Sequence, residues 1–169
     1  GTLSWRVATA SGGGTATISS SGLLTATHVG TVKVTLTAAG NTNYNSGTAT
    51  KTITIIKANP TLTVTGVKTT YTYTGSLQTV NSGATVNNTE QTIKYSNNTF
   101  TTVAEGNGKV VTISVAASTN YNAASKTVTL TVNKASYNMS NVRWSYSSAF
   151  TYNGNAKTII LTGLPSGVT

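Results

Sequence analysis

With 169 residues the chain suits one large or two small domains, and its 11 Lys and Arg against two acidic residues give a formal charge of +9. It has no Cys and no Asp, which excludes a disulfide framework, a thiolate metal cage and a carboxylate-rich calcium site. No run approaches the roughly 18 apolar residues of a membrane helix, so membrane insertion is not expected.

Thr makes up about one residue in five, far above ordinary usage. Its β-branched side chain fits a pleated, half-solvated surface better than a helix. In chain order, Ser11 to Gly14 reads as a turn, because the Gly12-Gly13-Gly14 run lacks the Lys and following helix of a phosphate loop. Val32, Val34 and Leu36 then alternate with Thr31, Lys33, Thr35 and Thr37, predicting a strand with one aliphatic and one polar face. A turn-rich stretch from Gly40 to Gly47 leads to a second alternation at Ile53 and Ile55.

Lys57-Ala58-Asn59-Pro60 is a very short connection, stiffened by Pro60, and Leu62 and Val64 open another strand directly after it. Turns are predicted at Asn81 to Gly83, Ser96 to Asn98 and Gly106 to Gly108. Val128, Leu130 and Val132 form the last clear alternation, before Lys134-Ala135-Ser136. No window carries a helical stripe. Alternation of this kind belongs to antiparallel sheets wet on one side.

An internal repeat organises these elements. TNYNSGTATKTITIIKA from Thr42 to Ala58 aligns without a gap to TNYNAASKTVTLTVNKA from Thr119 to Ala135, a period of about 77 residues. Val32-Lys33-Val34-Thr35-Leu36 matches Lys109-Val110-Val111-Thr112-Ile113. Tyr71-Thr72-Tyr73-Thr74-Gly75 matches Phe150-Thr151-Tyr152-Asn153-Gly154, and Trp5 aligns with Tyr95, although the first copy carries extra residues around Ile18 to Thr27. The phase predicts the later part of one module over 1–58, a complete module over 59–135 and the opening of a further module over 136–169. Two explanations of the half-modules stay open: a window onto a longer array, or half-modules of neighbouring chains completing each other by strand exchange. The expected fold is all-β, built from tandem antiparallel Greek-key β-sandwiches.

Ala16-Thr17-Ile18-Ser19-Ser20-Ser21-Gly22-Leu23-Leu24-Thr25-Ala26, followed by Gly30-Thr31-Val32-Lys33-Val34, resembles the group 2 bacterial immunoglobulin-like domain. The Tyr71 to Gly75, Phe150 to Gly154 and Thr-Asn-Tyr-Asn segments resemble related repeat modules of large bacterial surface proteins. The resemblance implies an extracellular location, at a cell surface or secreted, and a non-catalytic structural or adhesive role as stalk or filament spacer. The implied partners are neighbouring immunoglobulin-like modules of the same or adjacent chains, with glycans or host and cell-surface proteins as further candidates. Intimin-type adhesins and secreted polysaccharide enzymes both carry such modules, so the alternative role is that of a carbohydrate-binding accessory module. Some Gram-positive surface sandwiches join a Lys to an Asn through an amide assisted by a carboxylate, and Lys68, Asn133 and Glu90 supply those residue types.

Chemistry beyond this is sparse. The bases are scattered with no two adjacent, so no nucleic-acid partner is expected. His28 is the only histidine, and catalytic or metal sites need several converging groups, so neither an enzyme nor a cofactor is expected. Glu90 and Glu105 fall in polar turns and do not read as a glycosidase pair. Trp144, with no aromatic counterpart in the repeat, is the candidate ligand contact for a sugar face. Threonine rows alone suit an ice-binding surface, but that wants a short, stacked repeat rather than this long period. With so few titratable groups, stability is expected to be nearly flat from roughly pH 3 to 8.

Overall fold

A computed structural model describes residues 1–146, 149–166 and 168, so the last expected module, 136–169, is described only in part. The described residues are nearly all-β in class, with 44 % of them in strands and 2 % in helix. Alternating Thr and aliphatic residues account for this, since their branched side chains pack on a pleated surface and crowd a helix.

The first part of the chain forms β1 (Leu3–Ser11), β2 (Thr15–Ile18), β3 (Leu24–His28), β4 (Gly30–Ala38) and β5 (Gly47–Ile55). Strands β1, β4 and β5 make one antiparallel sheet with β4 at its centre, in the register Val7↔Val34↔Lys51 and Trp5↔Leu36↔Ala49. The alternation predicted at Val32 to Leu36 is realised in β4, where Val32 and Val34 are buried and Lys33 is exposed. The extra residues of the first copy form the hairpin β2-β3, which packs along β1. Gly30 makes the step from β3 to β4 possible: its φ is +132°, and a Cβ there would collide with the backbone of Gly14.

The second part runs through β6 (Leu62–Thr63), β7 (Thr70–Thr72), β8 (Gln78–Thr79), β9 (Thr85–Val86), β10 (Ile93–Ser96) and β11 (Thr99–Phe100). It continues through the single turn α1 (Val103–Gly106) to β12 (Val110–Val115), β13 (Ala124–Thr129) and β14 (Thr131–Asn133). Strands β10, β12 and β13 form an antiparallel sheet with the same strand order and sense as β1, β4 and β5. The remaining strands pair in short two-stranded pieces: β6 with β9, β8 with β11, and β7 with β14.

Two details differ from the sequence expectation. The alternation Val128-Leu130-Val132 is not one strand. The chain leaves β12 at Leu130, whose N–H donates to Lys109 O at 2.9 Å, and continues as β14 beside β7. That pairing is parallel, Thr131↔Thr70 to Asn133↔Thr72, where only antiparallel ribbons were expected. The strand thereby changes sheets, and Leu130 and Val132 both reach the same core. The second difference is α1, which local capping rather than any apolar stripe creates.

One core joins these pieces. Leu62, Val67, Val80, Phe100, Val111, Ile113, Val115, Leu130 and Val132 form a buried cluster, so segments from β6 to β11 cover the inner face of β10-β12-β13. Tyr71 meets Phe100 edge to face at 5.3 Å, and burial raises the Tyr71 phenol above its ordinary pKa. Each fully buried Val, Leu or Ile contributes about 1.5–3 kcal/mol, which explains why such short strand pairs suffice. Beyond this unit, β15 (Arg143–Trp144) pairs with β16 (Leu161–Thr162) in a small, largely exposed hairpin.

Candidate functional site

A dense polar cluster lies where the first and second parts of the chain meet. Residues 118–122, between β12 and β13, fold back onto the connection after β5. Ala58 N–H donates to Asn120 O and Asn122 N–H donates to Ala58 O, both at 2.9 Å, giving a lone parallel bridge at Ala58 and Tyr121. The Lys57 ammonium donates to Ser118 O at 2.6 Å, and the Asn122 amide donates to Asn59 Oδ1 at 2.8 Å. A connection too short to wander is thus held along both its edges.

Asn120 extends the grip to the far side of the junction. Its Oδ1 accepts Val29 N–H at 3.0 Å, and its Nδ2 donates to Thr27 O at 3.3 Å and to Glu90 Oε1 at 2.8 Å. Glu90 holds Asn120 in place: Oε2 accepts from Asn120 N–H at 3.1 Å and from the Ser118 hydroxyl at 2.8 Å. The Asn120 carboxamide, then the Ser118 hydroxyl and the Asn120 backbone amide, hold the Glu90 carboxyl below the usual carboxylate range. Beneath it, the buried Gln91 donates to Ala116 O at 2.6 Å and Asn122 O at 2.9 Å while accepting from Asn88 Nδ2 at 3.0 Å. Every polar group of that buried amide is used, so the loop is fixed from within the second unit before it touches the first.

An open cleft of about 300 Å³ lies beside this network, with His28, Val29, Ile56, Glu90, Asn120 and Tyr121 in its walls. The Ser118 hydroxyl faces the carboxylate and accepts from Tyr121 N–H at 3.2 Å, whereas His28 Nδ1 lies 2.9 Å from Thr15 Oγ1. The histidine and the hydroxyl thus have different partners, and Ser118 is paired with the carboxylate rather than with the imidazole. Among the described residues no group of three His, Cys, Asp or Glu stands together to hold a metal ion.

The other carboxylate is also committed to backbone. Glu105 Oε2 accepts from Thr101 N–H at 2.8 Å and Thr102 N–H at 3.2 Å, and Thr102 Oγ1 accepts from Glu105 N–H at 3.2 Å, a reciprocal capping box at the start of α1. Those backbone amides, Thr101 first, hold its carboxyl below the usual range.

The residue types for an amide crosslink are dispersed. Lys68 places its ammonium 4.6 Å from the centre of the Tyr71 ring. It precedes β7, whereas Asn133 pairs with Thr72 at the far end of that strand, and Glu90 is engaged at the junction by Ser118 and Asn120. Trp144 lies on β15 opposite Leu161 and is 64 % exposed.

Sequence reasoning did not single out Asn120, Ser118 or Gln91, although the repeated Thr-Asn-Tyr-Asn was the signal for the first. The two copies of that motif fold alike. Asn41 N–H donates to Tyr44 O at 2.8 Å while Asn41 Oδ1 accepts from Tyr44 N–H at 2.9 Å. Ser118 N–H donates to Tyr121 O at 3.0 Å while Ser118 Oγ accepts from Tyr121 N–H. No family model, curated protein or solved structure matches the chain.

Proposed function

We propose that the chain is a structural spacer: a run of immunoglobulin-like β-sandwich modules, in the manner of bacterial surface and secreted repeat proteins, whose junctions are stiffened by the Thr-Asn-Tyr-Asn loop. The observation that carries this is the Asn120 network, which ties the loop between β12 and β13 to Thr27 and Val29 of the first part of the chain. A flexible tether has no use for such a clamp, whereas a rod that projects something outward does. The common strand order of β1-β4-β5 and β10-β12-β13 and the shared turn of the two loops support the modular reading. The commitment of Glu90 and Glu105 to backbone and loop hydrogen bonds supports a non-catalytic role. The resemblance to surface modules supports an extracellular location.

Backbone ¹⁵N relaxation tests the spacer. Amides of β4 and β12 share one anisotropic rotational diffusion tensor if the junction is stiff, and separate, faster tensors refute it. The exposed ring of Trp144 favours a second reading, an accessory sugar-binding module. Glycan-array binding that vanishes on Trp144→Ala would establish that reading, and an array without signal would dismiss it.

A further inference from the structure

The chain holds two Asn-Gly pairs, Asn107-Gly108 and Asn153-Gly154. An Asn followed by Gly is open to an internal reaction, because no Cβ on the next residue keeps its backbone nitrogen from the carboxamide carbon. The two pairs stand in opposite situations. Gly108 N–H donates to Leu130 O at 2.9 Å, and Asn107 Oδ1 accepts from Val132 N–H at 3.4 Å. Nitrogen and carboxamide are thus both tied to a segment whose Leu130 and Val132 lie in the core.

Asn153 lies in the connection between β15 and β16, where it and Gly154 are exposed, and among the described residues no hydrogen bond holds the Gly154 N–H. Asn153 Oδ1 accepts from Asn155 N–H at 3.2 Å. That bond curls the side chain over the Gly154 peptide unit. It also sets a donor on the oxygen that gains negative charge when the carboxamide carbon is attacked. Asn41, Asn88 and Asn138 make the same turn, their Oδ1 atoms accepting from Asn43, Glu90 and Ser140 N–H at 2.9, 3.1 and 3.0 Å. The residues after them are Thr42, Thr89 and Met139, whose side chains stand in the way of the nitrogen. Among the described residues, Asn153 alone joins this turn to a following Gly.

The internal repeat builds the turn without a carboxamide. Thr74-Gly75 matches Asn153-Gly154, and Thr74 Oγ1 accepts from Ser76 N–H at 3.4 Å as Asn153 Oδ1 does from Asn155. Gly75 has φ +80° and Gly154 φ +76°, so the turn itself accounts for the Gly in both copies. The reactive group at position 153 is an addition to it.

We propose that Asn153 is a site of spontaneous, backbone-mediated deamidation. Gly154 N gives its proton to solvent base and attacks Asn153 Cγ, forming a C–N bond. The Cγ–Nδ2 bond breaks, and Nδ2 takes up a proton and leaves as ammonia, so that a five-membered imide remains. Water then opens the imide on one side or the other. Opening at Cγ gives an Asp in an ordinary main chain, and opening at the backbone carbonyl gives an isoaspartyl link with one extra main-chain carbon. Nothing is oxidised or reduced. Either product places a carboxylate in a chain that has no Asp and takes one from its formal charge of +9. The modification goes beyond the spacer reading and touches none of the junction residues.

Peptide mapping by mass spectrometry, on the full chain held in ¹⁸O-labelled water from neutral to mildly alkaline pH, tests this alongside cation-exchange chromatography. The expected result is conversion of Asn153 to Asp and isoaspartate, faster as pH rises because the attacking nitrogen must lose its proton. In the folded chain it runs at least about tenfold faster than at Asn107, which has to wait for local opening. In denaturant the two Asn-Gly pairs react at similar rates. Asn153→Thr, with the residue that the repeat uses in this turn, keeps the circular dichroism of the parent and does not form the less cationic species. Conversion of Asn107 as fast as Asn153 in the folded chain overturns the proposal. So does an Asn153 that stays intact when folded but reacts in denaturant, or a less cationic species undiminished in Asn153→Thr.

Discussion

Replacing Asn120 by Ala removes the side chain that ties the two units together, and the cost follows from its bonds. Two of them cross the junction, from Val29 N–H at 3.0 Å and to Thr27 O at 3.3 Å, and a third goes to Glu90 at 2.8 Å. At about 0.5–1.5 kcal/mol each, the two crossing bonds contribute about 1–3 kcal/mol to the closed junction. Their loss raises the population of the detached arrangement about five- to 150-fold. The backbone bonds of Ala58 survive the substitution, so the junction loosens without coming apart. Because the chain has no Cys, spin labels can be placed cleanly at Thr52→Cys on β5 and Lys126→Cys on β13, both exposed. Electron–electron dipolar spectroscopy should give one narrow distance for the parent and a broad distribution for Asn120→Ala, with the unfolding curve of the second unit little changed. An equally narrow distribution in the variant would refute the role given to Asn120.

Ile113 is fully buried in the core of the second part, so Ile113→Ala should cost about 2–5 kcal/mol in urea unfolding, while exposed Trp144→Ala should stay within about 0.5 kcal/mol. Gly106 closes α1 against that core, and a Cβ there would lie 2.6 Å from Val132 Cγ2 and 2.7 Å from Phe100 Cδ2. Gly106→Ala should therefore destabilise by about 1–3 kcal/mol, as a lowered thermal midpoint. Both carboxyls have native pKa values below their unfolded ones. Their contribution is fully present above the ordinary Glu pKa of about 4.3 and is lost as the pH falls through the lowered native values. Urea midpoints should accordingly drop between about pH 5 and pH 3. The double variant Glu90→Gln, Glu105→Gln should show a smaller drop.

That expected acid dependence departs from the nearly flat profile that composition alone suggests. Two carboxylates seemed too few to couple folding to pH, yet both are wired to backbone amides, Glu105 through Thr102-x-x-Glu105 and Glu90 through the loop it holds. The capping box is a local pattern, but from sequence Glu105 was placed only in a polar turn. The Glu90 network is not local, because Asn120, Val29 and Thr27 are brought together only when the unit folds back on its connection. Strands with strict alternation, such as Val32 to Leu36, were plain because period two encodes which face is buried. The two-residue pairs β6-β9 and β8-β11 were not, since so short a strand has no period to show. The strand change at Leu130 was hidden for a related reason. Alternation continues unbroken through Val128, Leu130 and Val132, because both partners bury the same face against one core.

The central claim is that the loop carrying Asn120 fixes the second unit against the first. Residual dipolar couplings measured on weakly aligned protein test it most directly. One alignment tensor of common magnitude and orientation should fit the amides of β1, β4 and β5 together with those of β10, β12 and β13. Two tensors of different magnitude would mean that the units reorient independently and that the junction is a tether.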